Sequence, residues 1–147
     1  MKKLFSVGLM VIGATALFTS CKKDVDADLG RTEILTAGSW QVVQALGQIN
    51  GDPWEDVTAD NFEPCYIDNR YSFASSGIVT QDEGPTRCFP TDEQTQTKNW
   101  NFSNGQTQIN FSNVLWDIEE LTDSSFVISI TESSGGDSGT YKVILKH

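Results

Sequence analysis

The chain has 147 residues, three cysteines, one histidine and a formal charge of −10 at pH 7. So large an excess of acid sets aside nucleic acid as a partner, because binding it rests on neutralising phosphates. It fits solubility and low non-specific adhesion instead. The sole histidine, His147, falls at the last position, where fraying is expected. A Ser-His-Asp or Cys-His arrangement then lacks its base, and the expectation is a non-catalytic protein.

Lys2 and Lys3 precede an apolar run from Leu4 to Phe18 that leads through small residues to Cys21. This reads as a secretory signal over residues 1–20, too short for a membrane span. The tetrad Phe18-Thr19-Ser20-Cys21 resembles the lipobox of bacterial lipoproteins, and the resemblance implies that Cys21 becomes the lipidated N-terminus. The alternative is an ordinary secreted protein cleaved nearby. Removing residues 1–20 leaves eight basic residues against twenty acidic ones, a balance of −12. With Cys21 as anchor, Cys65 and Cys88 remain as a pair, and an exported pair is expected to be oxidised. Residues 21–31 show no apolar periodicity and read as a flexible tether. Lys22-Lys23-Asp24-Val25-Asp26-Ala27-Asp28 within it resembles the short Lys-and-acid export tag of Bacteroidetes surface lipoproteins. The expected location is the outer membrane, facing the cell surface or the periplasm.

Residues 32–147 form one domain of ordinary size. Thr32–Ala37 suggests one or two turns of helix stopped by Gly38. Trp40, Val42, Gln44 and Leu46 then alternate on one side of a first strand. Asn50-Gly51-Asp52-Pro53 is a turn, and Thr58–Phe62 suits a helical turn before Pro64. The stretch from Cys65 to Cys88 reads as a hairpin centred on Ser75-Ser76-Gly77. An even loop centred on Ser76 and Gly77 sets Ala74 opposite Val79 and Cys65 opposite Cys88, with Cα atoms within about 5.5 Å. A three-residue loop with a glycine bulge shifts this register by one, a shift that Pro85 would absorb through a second bulge.

Phe89–Thr97 is a polar, exposed loop. Trp100 and Phe102 share a face; Asn104-Gly105 is a hairpin signal, answered by Ile109 and Phe111. Val114, Trp116 and Ile118 line the next strand. Phe126–Ile130 follows a turn, and Gly135–Gly139 leads to Tyr141, Val143 and Leu145. Eight strands with hairpin-length connections predict an all-β fold, a single eight-stranded antiparallel up-and-down barrel, since closure removes unpaired edges. A β-sandwich is the structural alternative.

The lipobox Cys21, the Gly38-Ser39-Trp40 motif after a short helix, Cys65, Asp68-Asn69, Tyr71–Gly77, Cys88, Trp100 and Leu121-Thr122 together resemble a lipocalin-like lipoprotein of the Bacteroidetes type. The resemblance implies that Trp40 packs at a closed barrel end beside Gly38, under a basic residue from the last strand region. Lys142 and Lys146 are the candidates, Lys146 the better placed, with a cation–π contact as the physical reason.

No Cys/His metal spacing and no phosphate-binding glycine loop occur, so neither metal nor cofactor is expected. Asp52, Glu55, Asp56, Asp60 and Glu63 read as a solvated acidic face, and Asp82-Glu83 and Asp92-Glu93 as surface pairs. Trp40, Tyr71, Phe73, Trp100, Phe102, Phe111, Trp116 and Tyr141 should point inward. An eight-stranded barrel is filled by side chains or holds one small ligand. The leading expectation is a membrane-anchored binding protein for a small, largely apolar ligand. Trp100 and Phe111 are its best contacts, with Trp116 and Tyr71 beside them. The alternative is an envelope interaction module with a filled barrel, docking another envelope protein.

Overall fold

The computed structural model describes residues 25–147. A twelve-residue helix, α1 (Val25–Thr36), leads into β1 (Ser39–Ile49). A two-residue strand β2 (Glu55–Asp56) and two helical turns, α2 (Thr58–Asn61) and α3 (Pro64–Ile67), follow. The remaining strands are β3 (Arg70–Ala74), β4 (Ile78–Asp82), β5 (Thr95–Ser103), β6 (Gln108–Phe111), β7 (Val114–Leu121), β8 (Phe126–Ser134) and β9 (Asp137–Lys146). All nine strands belong to one antiparallel sheet. From β3 onward each long strand lies beside its predecessor, and β9 returns to pair with β1, which turns the sheet into a ring. The ninth strand, absent from the expected eight, is β2, which adds two residue pairs to β1.

The helix begins seven residues before the expected Thr32, so Val25–Arg31 is helical rather than an unstructured tether. Leu35 fixes its position: the side chain is fully buried, and its carbonyl accepts a hydrogen bond from Trp40 Nε1 at 2.9 Å. That carbonyl is one of those a helix end leaves without an internal partner. The helix therefore lies across the end of the ring where β1 begins. The expected signal segment, residues 1–20, and Cys21 lie outside the described residues.

The inward periodicity of the strands holds for every aromatic residue predicted to point inside. Trp40, Phe73 and Trp100 are buried in the core, and Tyr71, Phe102, Phe111, Trp116 and Tyr141 pack against it. In β1 the alternation breaks. A bulge between Val42 and Gln44 moves the inward set from Gln44 and Leu46 to Ala45, Gly47 and Ile49. An extra residue inserted into one strand has this effect because side chains alternate strictly. Gln44 instead donates to Asp56 on the outer side.

The hairpin from Cys65 to Cys88 is shorter than the sequence suggested. Arg70 pairs with Asp82 and Ala74 with Ile78, the register of a three-residue loop, with Gly77 at φ +83° supplying its left-handed residue. Neither cysteine lies in a strand. Pro64 opens α3 at its first turn, which suits a residue without an N–H, and puts Cys65 on a helix. Beyond β4 the chain turns at Gly84 (φ +65°), where a Cβ would lie 2.5 Å from the Asp68 carbonyl oxygen. Cys65 and Cys88 are nonetheless bonded, with Cα atoms 5.2 Å apart. The disulfide joins a helical turn to a loop, not one strand to its neighbour.

Behind it sits a buried polar knot that sequence reasoning missed. Asn69 is fully buried; its amide donates to the Cys65 and Glu83 carbonyls and accepts from Gln81 Nε2. Glu83, expected at the surface, is only 3% exposed, because it continues the inward face of Val79 and Gln81 past the strand end.

Two further turns differ from expectation. Asn104-Gly105 does reverse the chain, within a four-residue loop that closes at Ser103 and Gln108. Gly135-Gly136, read as the start of a loop, forms a two-residue turn with positive φ at both positions, so β8 and β9 pair out to Ser134 and Asp137. This hairpin carries the strands well past the predicted Ile130 and Tyr141.

Candidate functional site

The ring is packed at one end and hollow at the other. At the packed end Trp40 is fully buried, 5.6 Å between ring centroids from Phe126. The imidazole of His147 lies 3.9 Å from it. His147 Nδ1 donates to the Ser39 carbonyl at 3.0 Å. The residue expected to fray is therefore docked, and it takes the place the sequence reading assigned to Lys146. Lys146 is exposed, opposite Gln41. The other candidate, Lys142, pairs with Glu119 at 2.6 Å and lies 4.3 Å from the Trp54 ring centroid. Gly38 has a local reason to be glycine: a Cβ there would come within 2.9 Å of His147 Nδ1.

Towards the other end the inward side chains of β1 and β9 shrink. Trp40 and Val42 give way to Ala45 and Gly47, while Leu145, Val143 and Tyr141 give way to Gly139. Space opens where the side chains end. An inner cavity of about 170 Å³ is lined by Val42, Phe62, Tyr71, Phe111, Trp116, Ile128, Tyr141, Val143 and Leu145. An outer cavity of about 660 Å³ forms the mouth between the ends of β1 and β8, the start of β9 and the segment from Asp52 to Asn61. Tyr141 borders both. Asn50 holds the rim together: its amide donates to Asp137 Oδ1 and accepts from the Ser138 N–H, each at 2.8 Å.

Three of the four predicted contact residues, Tyr71, Phe111 and Trp116, meet at the inner cavity. Tyr71 and Phe111 stand edge to face at 5.7 Å, and Trp116 lies 6.3 Å from Tyr141. Burial pushes both the Tyr71 and the Tyr141 phenols above their ordinary value. The fourth, Trp100, is a core residue. Its Nε1 donates to the Ala74 carbonyl and its own N–H to the Gly77 carbonyl, which pins it against the β3–β4 turn beside Phe73. Sequence polarity along β5 could not reveal this hydrogen bond.

Trp116 has one unusual property. Its Nε1–H is shielded from solvent and has no acceptor among the described residues. Buried indole nitrogens usually find a partner, and leaving a donor unmet costs roughly 1–3 kcal/mol.

Sequence reasoning missed Phe62 and almost the whole mouth. Glu132, Ser134, Asp137, Ser138 and Thr140 fell in segments read as loop; the Gly135-Gly136 pair was the signal that β8 and β9 continue through them. The acidic face divides. Asp52 and Glu55 border the mouth. Asp56 accepts from Thr58 and Gln44, which holds its carboxyl below the usual range. Among the described residues the one cluster with metal-ligand spacing is Glu63, Cys65 and Cys88, and its two sulfurs are bonded to each other. Comparison with protein-family models and with curated proteins returns no match.

Proposed function

We propose that this chain is a membrane-anchored extracytoplasmic binding protein for a small, largely apolar ligand. In this reading the ring is a lipocalin-like barrel of eight principal strands, to which β2 adds a short edge. The observation that carries it is the hollow end: an aromatic-walled inner cavity and a mouth of about 660 Å³, with Tyr141 bordering both. A concave, mostly apolar site of a few hundred Å³ with a few polar groups is the usual form of a small-molecule site. A filled interior, the mark of the alternative interaction module, would leave neither space.

The lipid anchor on Cys21 rests on the lipobox resemblance. A chain held there enters the fold through α1, at the packed end, so the mouth opens at the end remote from that entry. Two measurements test the proposal. Native mass spectrometry of protein purified from its own envelope should show a bound small molecule. Cys21→Ser should move the protein from the membrane to the soluble fraction. A bare mass in every preparation would sink the ligand, and a variant still bound to membrane would sink the anchor.

A further inference from the structure

Among the described residues the mouth is bordered by four carboxylates, Asp52, Glu55, Glu132 and Asp137, and by no lysine, arginine or histidine. Among the described residues the one ion pair joins Lys142 to Glu119, on the outer face, so none of the four is neutralised by a salt bridge. Only Asp137 has a side-chain donor in contact, from Asn50. Carboxylates gathered in a concavity with low-dielectric walls focus their field into it and concentrate counter-ions there. Below them the inner cavity is apolar, and its 170 Å³ is close to the roughly 150 Å³ known to suit a benzene-sized guest. Tyr141 borders both spaces, so a molecule spanning them would pass beside its ring.

We infer that the ligand is an organic cation with a ring-sized apolar body. The body occupies the inner cavity among Tyr71, Phe111 and Trp116. The positive group lies at the mouth, among the carboxylates and near the Tyr141 ring, whose face attracts a cation. A fatty acid or other anionic amphiphile would bring its carboxylate to the same four acids and be repelled. The inference rests on the binding-protein reading above and adds the sign of the ligand's charge and the size of its body.

Calorimetric titration of the full chain at pH 7 with three probes of one shape tests it. The probes are 2-phenylethylamine, 2-phenylethanol and phenylacetate: cationic, neutral and anionic. The amine is expected to bind about tenfold tighter than the alcohol, the effect of a potential of a little over 2 kT. Phenylacetate should bind weakest. The order should compress at about 1 M salt, where the Debye length falls to about 3 Å. Glu55→Gln combined with Glu132→Gln, with folding checked by circular dichroism, halves the carboxylates and should bring the amine-to-alcohol ratio down to about three. Equal binding of amine and alcohol to the wild type, or tightest binding of phenylacetate, overturns the charge assignment and leaves the binding-protein reading standing. Absence of binding by all three overturns the inference; joined to a bare mass in native spectra, it overturns the underlying reading as well.

Discussion

Trp40→Ala is expected to lower the stability of the fold by about 3–5 kcal/mol, a large share of the margin a domain of this size has. The side chain is fully buried and touches three separate parts of the chain: Phe126 on β8, His147 after β9, and the Leu35 carbonyl at the end of α1. Removing it opens a void against Phe126, frees the imidazole and strips the helix end of its donor. Trp40→Phe separates these effects. It keeps a six-membered ring in the site but loses the N–H and three ring atoms, so it should cost less than alanine, with about 1–3 kcal/mol of the loss from the unmet Leu35 carbonyl. Urea unfolding followed by far-UV circular dichroism measures both. An alanine variant that melts like the wild type would show that the packed end carries no weight.

Replacing both Cys65 and Cys88 by serine is expected to cost about 3 kcal/mol. The bond closes a loop spanning 23 positions, and cross-linking a loop of that length restricts the unfolded chain by about that amount on the entropy model. A native-state contribution adds to it. The disulfide holds α3 against the loop after β4, over the fully buried Asn69, whose amide bonds the Cys65 carbonyl. Loosening Cys65 therefore disturbs a buried hydrogen-bonded group as well as a loop. Reducing agent should destabilise the wild type and leave the double variant unchanged. Equal unfolding midpoints for the two proteins under oxidising conditions would count against the staple.

Side-chain alternation and residue size made the inside of this protein legible from its sequence. Tyr71, Phe73, Phe102 and Phe111 face inward because apolar residues at every second position leave a strand one stable orientation. The cysteine pairing was legible from export and parity. What could not be read depends on local irregularity or on contacts between distant residues. The bulge after Val42 has no composition signature, and it decides which half of β1 faces the cavity. His147 looked unsupported because its support, Trp40 and the Ser39 carbonyl, lies at the other end of the chain. Glu83 carries a charge that normally marks surface, yet strand alternation past the end of β4 takes it inside. The mouth was obscured because its polar residues resemble those of a loop, and only their pairing across Gly135-Gly136 makes them strand.

The closure of β1 on β9 bears on how the molecule comes into being. The contact between Ser39 and His147 spans 108 positions, so the seam is made by the first and last strands of the sheet. Neighbouring hairpins such as β3–β4 and β8–β9 can form locally and early, whereas the seam must wait for β9 to be complete. Until then both its edges offer unpaired N–H and C=O groups, the ordinary template for association between chains. Non-local pairing of this kind is also slow, because loop entropy is lost before the contacts compensate it. A chain halted before β9 would keep two open edges, on β1 and β8, however well its aromatic interior had collapsed. Growth of the nascent chain thus has a point of greatest risk, and it falls just before β9 is made.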